Sequence, residues 1–161
     1  MTLLAPLFLA LSAAAPATIA AGGGWAAIDR GGTCEALTRS LRIAAKDKVQ
    51  ASAGFAFTAD RRRWGEFHAR LSRVPRPGSS VLVTVGNQPF LLVARGDWAW
   101  SRGPSQEQAI IDAARNGGMM RVEARDGAGR RFVDPYMLDG APTAIDAAAA
   151  RCALRGAGKI Q

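Results

Sequence analysis

The sequence predicts an α+β domain, a mainly antiparallel β-sheet or sandwich carrying one internal and one C-terminal helix. Three observations predict it. Apolar and polar residues alternate with a period of two from Val49 to Ala59 and again from Glu66 to Ser72, as in half-buried strands. Turn signals such as Gly86-Asn87 and Asp126-Gly127 separate short apolar runs, so neighbouring strands return antiparallel. Helical spacing is confined to two stretches, and these do not alternate with strands as a parallel sheet requires.

In chain order, residues 1–21 hold no charged side chain. Leu3, Leu4, Leu7, Phe8, Leu9 and Leu11 form a short apolar stretch. Ala13 to Ala21 follows, with small residues at the −3 and −1 positions of cleavage sites such as Ala15-Pro16-Ala17 and Thr18-Ile19-Ala20. This is the architecture of a signal peptide, and the apolar part is shorter than the roughly 20 residues of a spanning helix. The expected organisation is a signal peptide over 1–21, a glycine linker over 22–24, a single β-rich domain over 25–153 and a polar tail over 154–161. A length of 161 residues suits one such domain.

Trp25 to Ile28 reads as a short edge strand. Around Cys34 two patterns compete: Leu37, Leu41, Ala44 and Ala45 fit a helix, while Ala36-Leu37-Thr38 fits a strand. Val49, Ala51, Ala53, Phe55, Phe57 and Ala59 then form the apolar side of a strand. Phe67, Ala69 and Leu71 do the same opposite Glu66, His68, Arg70 and Ser72, giving a hairpin across Asp60-Arg61-Arg62-Arg63. Pro75 to Ser80 is a loop, Val81 to Val85 a strand, and Phe90 to Val93 its antiparallel return. Arg95-Gly96-Asp97 turns the chain into Trp98-Ala99-Trp100. Ser105 is the expected N-cap of the internal helix, with Gln108 reaching back; Ile110, Ile111, Ala113 and Ala114 are its apolar residues and Gly117-Gly118 its stop. Met119 to Ala124 and Arg131 to Val133 form a hairpin. After Asp139-Gly140, Thr143 opens the last helix, whose face of Ile145, Ala149 and Cys152 turns the second cysteine inward.

Two cysteines and one histidine cannot supply four Cys/His ligands to a zinc finger, and no metal site is expected. His68 would have to serve any Ser-His-Asp arrangement. The chain has no Gly-x-Ser-x-Gly elbow, and His68 reads as an exposed strand residue beside Glu66 and Arg70. Asp134 and Asp139 form a conceivable carboxylate pair, but Pro135 and Gly140 beside them give both a turn role. Gly22-Gly23-Gly24 lacks the preceding strand and following lysine of a phosphate loop, so no cofactor is implied. No catalytic residue is assigned.

In an oxidising compartment Cys34 and Cys152 are read as a disulfide that clips the two ends of the domain together. The net charge of +8 comes from 21 Lys and Arg against 13 Asp and Glu, and only Lys46, Lys48 and Lys159 are lysines. Guanidinium suits bidentate pairing with anions, although the arginines are scattered as a compositional bias would scatter them. Arg61, Arg62 and Arg63 read either as a binding patch or as a solvated hairpin tip. Trp98 and Trp100 lie on one side of their strand. With Arg95 and Arg102 they could form a stacking platform for a sugar or base; packing of the sheet against the 105–116 helix is the commoner use of such residues.

The expected function is that of an exported, non-enzymatic, β-rich envelope protein. It would be periplasmic, or secreted and associated with the outer membrane, and would bind or scaffold an envelope or surface partner, anionic partners among them. Its oligomeric state is left open, and no transmembrane span remains after signal cleavage. Two other readings stand beside it: a hydrolase of cell-envelope polymers using the acidic residues of the 134–139 turn, and a module binding lipid phosphate or nucleic acid.

The order of elements also resembles a known family. A signal peptide precedes a tryptophan and an early cysteine. The helix Gln108-Ala-Ile-Ile-Asp-Ala-Ala-Arg-Asn-Gly117 leads to Met119-Met120-Arg-Val-Glu123. Asp134-Pro-Tyr136-Met-Leu138 leads through glycine to Thr143-Ala-Ile-Asp-Ala-Ala and on to Cys152. Over roughly residues 25–153, and most specifically over 105–152, the chain resembles a divergent member of the invasion-associated locus B family of exported bacterial proteins. That resemblance implies a periplasmic or surface-associated β-rich domain with no established enzymatic activity.

Overall fold

The computed structural model describes residues 15–158, so the apolar stretch Leu3 to Leu11 lies outside the described residues. The elements are β1 (Ala17–Gly22), β2 (Trp25–Asp29), β3 (Thr33–Arg39), β4 (Ser52–Thr58), β5 (Trp64–Arg70), β6 (Val81–Val85), β7 (Gln88–Arg95), β8 (Trp98–Trp100), α1 (Pro104–Asn116), β9 (Met119–Arg125), β10 (Arg131–Met137) and α2 (Ala141–Ala157). The fold is α+β: a ten-stranded antiparallel sheet in the order β1-β2-β3-β4-β5-β8-β7-β6-β9-β10, with one internal and one C-terminal helix.

The sheet bends at β7. Residues 88–92 of that strand pair with β6, and residues 93–95 pair with β8. The two ends of the sheet thereby approach each other. Leu41 N–H and Ser40 Oγ both donate to the Pro135 carbonyl (2.8 and 3.1 Å), and Trp25 Nε1 donates to the Met137 carbonyl at 2.9 Å. The enclosed side holds one continuous core that includes Trp25, Phe55, Phe57, Phe67, Val83, Val122 and Tyr136. Both helices pack on that side. Gly65, at φ +88°, leaves room for Ile111 of α1, whose Cδ1 would lie 2.6 Å from a Cβ there. Cys152 of α2 is bonded to Cys34 of β3, with Cα atoms 5.8 Å apart across 118 residues of chain.

Several expectations change. Residues 17–22, the end of the stretch read as a signal peptide, form a strand paired with β2, so Trp25–Asp29 is not an edge. Gly23 and Gly24 are a tight turn and not a linker: both have positive φ (58° and 82°), the pair of conformations a two-residue hairpin needs. Around Cys34 the strand wins over the helix, because β2 and β4 satisfy its backbone on both edges and bury Cys34, Ala36 and Thr38. Helix α1 begins at Pro104 after Gly103, with no side-chain cap from Ser105. Gln108 bonds forward to Asp112 instead of reaching back. Helix α2 starts at Ala141 and runs through 154–157, the region expected as a polar tail. There Arg155 binds Asp29, and Gly156 lies against the Ala59 carbonyl, where a Cβ would sit only 2.6 Å away.

Candidate functional site

Strands β2–β5 present two faces. Trp25, Ala27, Cys34, Ala36, Phe55, Phe57 and Phe67 point to the helices and the core. The alternate residues point away, onto a face that neither helix covers. Residues directly paired across antiparallel strands stand side by side on one face, so the register divides this face into rows. The central row is Ala26, Leu37, Gly54, His68, Trp100 and Val93. One flanking row is Arg39, Ser52, Arg70, Trp98 and Arg95. The other is Ile28, Glu35, Ala56 and Glu66.

Trp98 and Trp100 therefore do not pack against α1. The helix side of β8 is taken by Ala99, which is fully buried, and the period of two sends both indoles to the open face. There they are half-buried, with ring centroids 6.3 Å apart and planes within 17° of parallel. Arg95 is exposed and stands beside Trp98 in the row. Arg70 flanks Trp98 on the other side and is paired with Asp97 at 3.1 Å. Arg102 lies beyond the end of β8, where its N–H donates to Gln106 Oε1. The register gives the platform Arg70 in place of Arg102.

His68 occupies the expected face but is buried, at 8% exposure. Trp98 lies 6.1 Å from it, ring centroid to centroid, and the absent side chain at Gly54 lets the imidazole sink between β4 and β8. Its Nε2 is 3.8 Å from Glu35 Oε1. Burial pushes the imidazole pKa below its ordinary value, with Glu35 and Glu66 opposing that shift. Gly54 is an exacting position. A Cβ would collide with the Ala36 carbonyl oxygen and lie 2.6 Å from Leu37 Cδ2. Gly54→Ala is expected to cost roughly 2–3 kcal/mol, because backbone of the adjacent strand would have to shift. Urea unfolding measures this; a loss below about 0.5 kcal/mol would show that β3 yields freely.

The arginines of the β4–β5 tip are held in place. Arg61 Cζ lies 4.4 Å from the centroid of the Trp64 ring, Arg62 pairs with Asp60, and Arg63 reaches both Glu66 and Thr33 Oγ1. On the open face Arg30 pairs with Glu35 and Arg63 with Glu66. Among the described residues, Arg39 and Arg95 have no carboxylate partner. At the β2–β3 end the face dips into a groove of about 620 Å³. Ala26, Ile28 and Leu37 line it, with Leu41, Met137 and Arg39 towards the Trp25 end of β2 and Arg30 past its other end.

Asp134 and Asp139 do not share a cleft. Asp134 is fully buried on the core side of β10, where its Oδ2 accepts the Ser72 N–H at 2.9 Å, whereas Asp139 is exposed in the turn before α2. Asp134 Oδ1 and the Tyr136 hydroxyl are both buried without a hydrogen-bond partner. Burial and the nearby Asp134 push the tyrosine pKa far upward.

Arg39, Leu37 and Ile28 had no local motif to mark them. Only strand periodicity carried through residues 33–39 would place Leu37 and Arg39 on the face of His68. No protein-family model, curated protein or solved structure matches this chain.

Proposed function

We propose that this chain is an exported, non-enzymatic envelope protein, a divergent relative of the invasion-associated locus B proteins. It works at the periplasm or outer-membrane surface as a binding module, and its binding surface is the open sheet face around Trp98 and Trp100. One observation carries this reading: two near-parallel, half-exposed indoles stand on an uncovered face beside an unpaired Arg95. Large apolar side chains on a solvent face add little to the core and mark interaction surfaces. Aromatic rings flanked by guanidinium groups suit a ligand with an apolar body and negative charge.

Export is supported by the Cys34–Cys152 disulfide and by the apolar stretch at residues 3–11. Among the described residues no helix is long and apolar enough to cross a membrane. Asp134 is fully buried while Asp139 is exposed, which supports the binding reading over a hydrolase built on this carboxylate pair.

The double substitution Trp98→Ala/Trp100→Ala tests the surface. Both rings lie outside the core, so the melting temperature should change by only a few degrees. Sedimentation with bacterial envelope vesicles should show binding weakened about tenfold or more, as for aromatic anchors of an interface. A variant that co-sediments like the parent would refute the surface. Fractionation with mass spectrometry of the non-reduced protein tests export: cytoplasmic protein retaining Met1, with both thiols free, would remove that part of the proposal.

A further inference from the structure

We infer that the open face takes a fatty-acid-like ligand, a single long alkyl chain ending in a carboxylate, with the chain in the β2–β3 groove and the head group on Arg39. This deepens the proposed function and rests on the open face being the binding surface.

The groove has the size and lining of a small-molecule site. Its volume of about 620 Å³ falls within the roughly 300–1,000 Å³ common to such sites. Ala26, Ile28 and Leu37 line it without a charge, and Leu41 and Met137 at its end are 50% and 42% exposed. Such apolar side chains gain from being covered by an alkyl chain.

The polar groups of the groove favour one carboxylate over other ligand classes. A glycan or nucleotide needs many hydrogen-bond partners, yet the uncharged polar side chains here are only Thr38 and Ser52. The Thr38 hydroxyl already donates to the Gly24 carbonyl at 2.9 Å. Of the two arginines lining the groove, Arg30 is tied to Glu35, leaving Arg39 as the guanidinium without a carboxylate partner among the described residues. A neutral lipid would leave that charge unanswered. One guanidinium and one carboxylate match in charge and in bidentate geometry.

The face also offers a path for a long chain. From Leu37 the central row continues past Gly54 and His68 to Trp100 and Val93, and Val93 is 52% exposed. Five inter-strand steps from Ala26 to Val93 cover about 24 Å at the ~4.8 Å spacing of paired strands. The indoles on β8 lie three of these steps, about 14 Å, from the β3 position of Arg39, on the side opposite β2, so a chain that leaves the groove along the sheet reaches them.

The test is titration of the purified protein with monomeric laurate, followed by calorimetry and tryptophan emission. Single-site saturable binding is expected. Arg39→Glu should weaken it tenfold or more, while leaving any binding of neutral dodecanol unchanged. Leu37→Asn should weaken both ligands about tenfold, with Ile28→Asn as a second probe of the groove if the first variant melts early. Arg76→Glu, in the exposed loop before β6 and outside this face, should change laurate affinity less than twofold.

The inference is overturned if laurate does not saturate a site, or if Arg39→Glu binds it as tightly as the parent. Binding to anionic phospholipid vesicles without binding of monomeric laurate also overturns it. If oligogalacturonate binds in place of laurate and Trp98→Ala/Trp100→Ala abolishes that binding, the ligand class is wrong but the surface stands. If no ligand binds and the tryptophan variant sediments with envelopes like the parent, both readings fall.

Discussion

Reducing the Cys34–Cys152 bond is expected to cost the protein about 4 kcal/mol of stability. The bond closes a loop of 118 residues, and in the chain-entropy model a loop near that length constrains the unfolded chain by roughly 4–5 kcal/mol. The native side of the equilibrium points the same way. Helix α2 buries Ala141, Ala144, Ala148 and Cys152 with only one larger aliphatic residue, Ile145. Alanine gains little from burial compared with leucine or phenylalanine, so this helix depends on specific tethers to stay on β2–β4. For a domain of this size the loss corresponds to a drop in melting temperature on the order of 10 °C. Thermal unfolding with and without reductant measures it, and Cys34→Ala/Cys152→Ala should reproduce the reduced value. A drop of less than about 2 °C would mean that α2 docks without its clasp.

The second tether is Asp29, and replacing it with Asn is expected to cost about 2 kcal/mol at neutral pH. This carboxylate is 2% exposed at the end of β2. Its Oδ2 accepts Arg151 Nε (2.7 Å) together with Arg155 Nε and Nη2 (2.9 and 2.7 Å), and its Oδ1 accepts the Gly31 N–H at 2.8 Å. Burial pushes its pKa up, but the hydrogen bonds from Arg151, Gly31 and Arg155 outweigh burial and bring it from 3.8 to about 2. A pKa depressed by folding means that the folded state binds the proton less tightly than the unfolded chain. The stabilisation is therefore fully present above about pH 4 and is lost as pH falls from 4 towards 2. A shift from 3.8 to about 2 corresponds to roughly 2 kcal/mol. Chemical denaturation at pH 7, 4 and 2.5 should show the parent converging on Asp29→Asn as the pH drops. A constant gap between the two across that range would show that the charge of Asp29 is not what Arg151 and Arg155 require. Asp60, Asp126 and Asp146 also have lowered pKa values, so both proteins still lose stability in acid.

Much of the architecture was legible because it repeats locally. The alternations through Phe55 and Phe67 mark their inward faces correctly, and Gly86-Asn87 marks the β6–β7 turn. The misread segments are those whose local pattern is weak and whose conformation is set by a distant partner. Trp25–Ile28 reads as an edge from its own residues, but Ala17–Gly22, apolar and small as a signal-peptide end is, pairs with β2 along that edge. The segment around Cys34 could satisfy its backbone as a helix, but it lies between two strands whose edges need it. Gly156 disfavours a helix, and α2 extends through it because it fits against the Ala59 carbonyl while Arg155 reaches Asp29.

The candidate site divides along the same line. The sequence alone determined that Trp98, Ala99 and Trp100 alternate, that His68 and Arg70 share a side, and that the two cysteines sit where a bond could join the ends. These follow from the two-residue period of a strand and from composition. Which side of β8 faces the core, and which residues of other strands stand beside Trp98, depended on tertiary structure. Register across β3, β4, β5, β8 and β7 brought Arg39, Leu37, His68, Trp100 and Arg95 onto one face. Within a strand, side-chain direction is dictated by local backbone geometry. Between strands, register follows from the burial of the whole sheet, and residues far apart in the chain carry no local mark of being neighbours.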